Sequence, residues 1–258
     1  SDQKRIEAMD PLNKTALITG GAVRVGKAIT LALARAGANV VINYNRSSTA
    51  AVETLATACS LGVGAIIVQA DIGSRQQVES MVNQAKEHFG CVDILVNNAS
   101  LWLDTPFPSE NLDDWHRVTN ILINGAYYCA NAVAPLMRER GEGSIVNIVD
   151  LSAFEPWPEY SAHSVGKSAL LALSRQLALE LAPEVCVNAV APGPVLPPPD
   201  YDEQKIAQTA ANTLLERWGS AEDVADAVMF FIRANYVTGE VLAVDGGQRF
   251  AHRKHQHA

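Results

Sequence analysis

The chain has 258 residues, 48% of them hydrophobic and 19% charged, with a formal net charge of -8. That balance supports a sizeable packed core and argues against disorder. The acidic surplus removes the basic field that attracts nucleic acid or an anionic membrane surface, so the expected partner is a small soluble molecule, with no nucleic acid and no membrane.

Cys59, Cys91, Cys129 and Cys186 are far apart and show neither a CxxC pair nor metal-ligand spacing, so they read as reduced core thiols. No stretch approaches the roughly 20 uncharged apolar residues that a membrane span needs. The first residues are charged, unlike a signal peptide, and a cytoplasmic location is expected. The tail 251–258, with His252, His255 and His257, reads as a polar frayed terminus rather than a metal site. No metal is expected.

In chain order, residues 14–19 read as a buried strand, and 27–36 have helical apolar spacing with Gly37 as the stop. A strand at 40–43, a helix at 48–60 and a strand at 65–69 repeat the unit. A helix at 75–89 leads to a strand at 94–96, one long helix at 112–140 and a strand at 144–149. A helix at 162–181, a strand at 185–190, a final helix at 221–233 and a strand at 241–244 close the series. Alternating strands and helices with nearly continuous Val/Ile/Leu strands predict a single-domain, doubly wound α/β fold, its parallel sheet covered by helices on both faces. The run 194–199, rich in proline, can only be a loop.

The turn Thr19-Gly20-Gly21-Ala22-Val23-Arg24-Val25-Gly26 lies between the first strand and the first helix, where a glycine-rich dinucleotide loop belongs. Gly20 permits the tight turn and Gly26 close helix–strand packing. The helix N-terminus then offers N–H groups and a positive dipole end to a pyrophosphate. The acidic residue about 20 positions on that would select NAD is absent. The second strand runs instead into Asn45, Arg46 and Ser47, which suit a 2′-phosphate. With Arg24 at the same mouth, NADP(H) is the expected cofactor.

These segments resemble the short-chain dehydrogenase/reductase family over roughly residues 12–248, ending on Val244-Asp245-Gly246-Gly247. The loop is the TGxxxRxG variant of the family's TGxxxGxG, with Arg24 where the middle glycine usually sits. The resemblance implies a Rossmann-type domain, adenine contacts from Asp71 and Ile72, and an NNAG-type strand end at Asn98, Ala99 and Ser100. It also implies a nicotinamide-side turn at Pro192 and Gly193, and a homotetramer built on the helices at 112–140 and 162–181.

The family's catalytic tetrad is Asn, Ser, Tyr and Lys, the last two spaced YxxxK so that they share a helix face. Here Lys167 is kept, but His163 stands in the tyrosine position, Asp150 in the serine position and Leu122 in the asparagine position. Asn124 falls two residues late, and Tyr160 is out of register. Asp150, the TGxxxRxG loop and the NNAS strand end resemble the pteridine-reductase branch, where an aromatic two residues after NNAS stacks on the pterin. That position is Trp102.

The resemblance implies an NADPH-dependent reductase that transfers hydride to a C=N or C=O bond of a flat heteroaromatic substrate such as a pterin. His163, Asp150 and Lys167 would handle proton supply and ribose placement, and Trp102 and Asp150 would meet the substrate. An imidazole, with a reference pKa near 6.5, suits acid chemistry at neutral pH. Bland readings stand beside these. His163 could fill a vacated pocket, Asp150 could cap backbone or pair with Lys167, and Trp102 could be core or an oligomer contact. The alternative function is a catalytically impaired relative that binds NADP(H) as a sensor or interaction protein.

Overall fold

The computed structural model describes residues 8–198 and 201–254. Seven parallel strands form one sheet in the order β3-β2-β1-β4-β5-β6-β7. They are β1 (Thr15–Ile18), β2 (Asn39–Tyr44), β3 (Ala65–Gln69), β4 (Ile94–Asn97), β5 (Gly143–Ile148), β6 (Val185–Pro192) and β7 (Val241–Val244). The helices α1 (Arg24–Arg35), α2 (Ser48–Ser60), α3 (Arg75–Phe89), α4 (Asp113–Thr119), α5 (Ala126–Arg140), α6 (Ser161–Leu181), α7 (Glu203–Ala211), α8 (Ala221–Arg233) and α9 (Gln248–Lys254) complete the chain.

Alternate residues of each central strand face opposite sides. Ile18, Val40, Ile42 and Val96 pack against Ile29 and Leu33 of α1, Ala51 of α2 and Val224 and Val228 of α8. Leu17, Val41, Leu95 and Ile145 meet Val78 and Met81 of α3, Cys129 and Val133 of α5, and Ala178 of α6. Burial on both faces is what makes the strands read as apolar runs rather than alternating ones. The strand order reverses between β1 and β4, each of which pairs with the other. In such sheets the crevice beyond the carboxyl ends at the reversal is where ligands bind.

Several boundaries differ from the sequence expectation. α1 begins at Arg24, three residues before Lys27, so Arg24 and Val25 belong to its first turn and not to the loop. The expected single helix over 112–140 is interrupted by a π-helical segment at Asn120–Gly125. Five-residue ladders are invisible to a 3.6-residue apolar period, and such segments are frequent at functional sites. α8 is not the last helix. α9 follows it and includes Ala251, which is buried, so the frayed tail does not begin there, and residues 255–258 lie outside the described ones. α7 was not expected from the sequence, and none of its residues is fully buried. Among the thiols Cys91 and Cys129 are buried, Cys186 is half-buried and Cys59 is exposed on α2. Cys59 is therefore not a core thiol. All four are unbonded to one another. No described helix is long and apolar enough to cross a membrane.

Candidate active site

The turn after β1 is built by side chains from three strands. Gly20 takes a φ of +60°, open to glycine at little cost. A Cβ on Gly26 would sit 2.2 Å from the Gly20 carbonyl oxygen and 2.6 Å from Asn98 Nδ2, so α1 can seat this close only with glycine there. Asn98 Nδ2 donates to the carbonyls of Thr19 (2.9 Å) and Gly20 (3.2 Å). Thr19 Oγ1 in turn accepts from the backbone N–H of Asn98 (2.9 Å) and Ala99 (3.0 Å). Asn43 is buried and accepts from the Gly20 N–H at 3.2 Å, so its amide serves the turn itself. Its Nδ2 donates to the Ala70 carbonyl at 3.1 Å. The available signal was an amide among the apolar residues of β2.

α1 starts with Val23 as N-cap, without a side-chain cap and without an acidic residue in its first turn. The first N–H groups of a helix have no partner within it. Backbone dipoles with no protein anion over them suit a pyrophosphate, so the turn fits the group that the sequence expectation places there.

Arg24 holds a φ of +51°, the left-handed region that favours glycine, where the family usually has one. Its Nη2 donates to the Leu196 carbonyl at 3.1 Å, tying the β1 turn to the loop after β6. Asn45, Arg46 and Ser47 are exposed beyond the end of β2. The Asp71 carboxylate accepts from the Gly73 N–H at 2.9 Å. Ile72 is buried in the core, with Gly125 packed on its side chain, so that side chain is not open to an adenine. Pro192 ends β6, and the N–H of Gly193 just beyond it donates to the Val244 carbonyl at 2.9 Å. Ser100 is exposed past β4.

Asp150, His163 and Lys167 come together. His163 is the third residue of α6 and Lys167 lies one turn later on the same face. His163 Nε2 and Asp150 Oδ2 are 2.6 Å apart, with the His163 side chain 2% exposed and that of Asp150 16%. Asp150 Oδ1 accepts from Ser152 N–H (2.9 Å) and Ser152 Oγ (2.5 Å), the cap of a short 3₁₀ turn over Leu151–Ala153. Lys167 Nζ donates to the Ile148 carbonyl at 2.8 Å. Burial pulls the Asp150 carboxyl upward, but the His163 hydrogen bond, the Lys167 charge and Ser152 outweigh it and hold it below the usual carboxylate range. Burial pushes the Lys167 ammonium down, offset in part by Asp150. His163 Nδ1 is buried without a hydrogen-bond partner.

Trp102 reaches the same place. Its ring lies 4.6 Å from that of His163, 5.5 Å from Trp157 and 4.4 Å from Tyr160. Trp157 also stacks parallel to the imidazole at 6.0 Å. Trp157 and Ser152 were missed, for neither sits at a motif position. A groove of about 470 Å³ runs beside Trp157, lined also by Thr105, Phe107, Pro156 and Val165. Tyr160 is not an activated acid, because burial and the neighbouring Asp104 push its hydroxyl up. Leu122 is buried against α6, where a Cβ on Gly166 would meet its Cδ1 at 2.7 Å. Asn124 is exposed and donates to Asn120 Oδ1 at 2.9 Å, so it does not replace the missing asparagine.

The family model described as Enoyl-(Acyl carrier protein) reductase matches residues 21–249. The 3-oxoacyl-[acyl-carrier-protein] reductase of Synechocystis sp. is 36% identical over 91% of this chain and 96% of its own. The chain belongs to the short-chain dehydrogenase/reductase family. Its fold is that of solved members of this NAD(P)-dependent oxidoreductase family. FolM alternative dihydrofolate reductase 1 from Brucella canis, solved in complex with NADP, has a TM-score of 0.88 at 32% identity, covering 95% of this chain and 97% of its own. Acetoin dehydrogenase YohF from Salmonella typhimurium has a TM-score of 0.84, also at 32% identity, covering 92% and 96%. Family members named for an acyl-carrier thioester, a dihydrofolate and a hydroxyketone are thus similar to this chain to nearly the same degree. Overall identity does not select a substrate, and the site residues must.

Proposed function

We propose that this family member is an NADPH-dependent reductase of the pteridine-reductase type, acting on a C=N or C=O bond of a small flat heteroaromatic substrate. When bound, the dihydronicotinamide supplies the hydride. The observation that carries the reading is the Asp150–His163 contact at 2.6 Å beside Trp102, with Lys167 one helical turn along.

In this reading Trp102 offers its face to the substrate ring, and Asp150, the more exposed of the two paired side chains, is the group that touches it. His163 Nε2 lies 2.6 Å from Asp150 Oδ2, and the two act as one proton-supplying unit. Lys167 keeps Asp150 ionised between turnovers and presents its ammonium to the ribose. Gly20, Arg24, Val25, Gly26, Asn98, Ala99 and Ser100 hold the dinucleotide on one side of the crevice, with Pro192 and Gly193 on the other. Asp71 and the backbone of Ile72 border the adenine, while Asn45, Arg46 and Ser47 take the 2′-phosphate. The NADP complex of the Brucella canis protein supports this cofactor. A homotetramer in the cytoplasm completes the proposal.

A second reading has its own observations. Leu122 replaces an amide with a plugging side chain, and His163 Nε2 is committed to Asp150. Both suit a protein that binds NADP(H) and signals through partners without turnover. NADPH oxidation with dihydrobiopterin, dihydrofolate and a carbonyl panel, run beside a calorimetric NADPH titration, separates the two. Turnover of a dihydropterin supports the first reading. Tight binding with no turnover of any compound replaces it with the second.

A further inference from the structure

The helix that carries His163 and Lys167 is not capped by its own sequence. Tyr160 is the N-cap of α6 and its side chain makes no capping hydrogen bond. Two N–H donors of the first turn go instead to Thr105, more than fifty residues earlier. The Ala162 N–H donates to Thr105 Oγ1 at 3.0 Å and the Ser161 N–H to the Thr105 carbonyl at 3.3 Å. Ser161 Oγ donates to the same carbonyl at 2.5 Å. The Thr105 N–H donates to the Glu159 carbonyl at 2.7 Å, making an isolated parallel bridge opposite Tyr160. Glu159 is held at a φ of +66°, a conformation that a non-glycine residue keeps only when its surroundings fix it. Thr105 itself is 4% exposed, so water competes little for its side chain.

Thr105 is also three residues past Trp102, whose ring touches Trp157, Tyr160 and His163. One residue therefore joins the segment that carries the substrate-facing tryptophan to the first turn of the helix that carries the imidazole. We infer that Thr105 is a positioning residue, which sets His163 against Asp150 by capping α6 from the Trp102 segment. Ala162, the residue bonded to Oγ1, immediately precedes His163, so a shift of the first turn acts directly on the 2.6 Å contact. Hydrogen-bonded geometry at this distance is steep, and a misplacement of about 1 Å can lower a rate about a hundredfold.

This inference rests on the proposed role of the site, and its test includes readouts that need no turnover. Thr105→Val keeps the shape and removes the hydroxyl, whereas Thr105→Ser keeps the hydroxyl. In the full-length protein, Thr105→Val is expected to lower kcat by about tenfold to a hundredfold. The KM for NADPH should stay unchanged and the pH profile should move, with Thr105→Ser restoring both kcat and profile. Amide exchange at Ala162 should quicken about tenfold in Thr105→Val, as for a lost cap. The proton NMR signal of the His163 imidazole N–H bonded to Asp150 should move upfield. A lowered Tm with kcat, pH profile and imidazole signal at parental values would reduce Thr105 to a structural cap and overturn the inference. If the parent protein turns over none of the compounds, the reductase reading fails, and the exchange and imidazole signals still decide the role of Thr105.

Discussion

Two helix starts border the crevice, and they treat the same unpaired N–H groups in opposite ways. α1 begins without a side-chain cap, without an acidic residue and beside glycines, so its donors face outward to the crevice. α6 begins with its donors taken by Thr105, and its first turn is locked to a distant segment. An open N-terminus serves a ligand because the protein leaves the dipole uncompensated. A closed one serves side chains, because a capped turn fixes where they point. The departures from the family pattern gather on the closed side, at Asp150, His163 and Leu122. Backbone groups build much of the open side, where the departures are Arg24 and Ser100.

The largest test of that contrast is on the closed side. If the Asp150–His163 unit supplies the proton, His163→Ala should lower kcat by about 10²–10⁴. His163→Tyr should then fail to exceed the parent rate. A His163→Ala variant with the parent's rate and pH profile would leave His163 as packing, and a rise on His163→Tyr would show that it displaced a better acid.

On the open side the expected effects fall on binding. NADPH should bind more tightly than NADH, and Arg46→Ala should erase most of the difference. A charge-assisted phosphate contact contributes about 1.5–3 kcal/mol, or about ten- to a hundredfold in Kd. Calorimetry showing equal affinities in the parent would remove the 2′-phosphate contact from the site. Gly26→Ala should destabilise the fold by about 1–3 kcal/mol by overpacking the turn, visible as a lower denaturation midpoint, and should weaken both cofactors alike. A stable variant with normal affinity would mean that α1 can shift away from Gly20.

The smallest effect is a pH dependence. The Asp150 carboxyl is raised by burial, yet lies below the ordinary range because His163, Lys167 and Ser152 favour its charged form. A depressed carboxylate contributes stability above its unfolded pKa of about 3.9 and loses it as pH falls through the folded value. Asp150→Asn should therefore flatten the acid side of the stability curve and leave its slope near neutrality unchanged. An identical acid slope in parent and variant would place the titration elsewhere.

Much of this molecule was legible in its sequence. The parallel sheet and most helices follow from apolar runs of strand length alternating with 3.6-residue periods, and the β1 turn from glycines at a strand–helix junction. These are local properties, carried by neighbours in the chain. The i, i+4 spacing likewise puts His163 and Lys167 on one helix face. The tertiary structure alone decided what those residues touch. It turned His163 Nε2 onto Asp150, tied Arg24 to the Leu196 carbonyl, buried the Ile72 side chain and set Trp157 beside the imidazole. It also inserted the π-helical segment before α5 and capped α6 with Thr105. Each of these joins residues far apart in sequence, or depends on packing between elements. No period or motif in one chain encodes such a contact, because it exists only once the sheet has brought the carboxyl ends of β1, β4, β5 and β6 side by side.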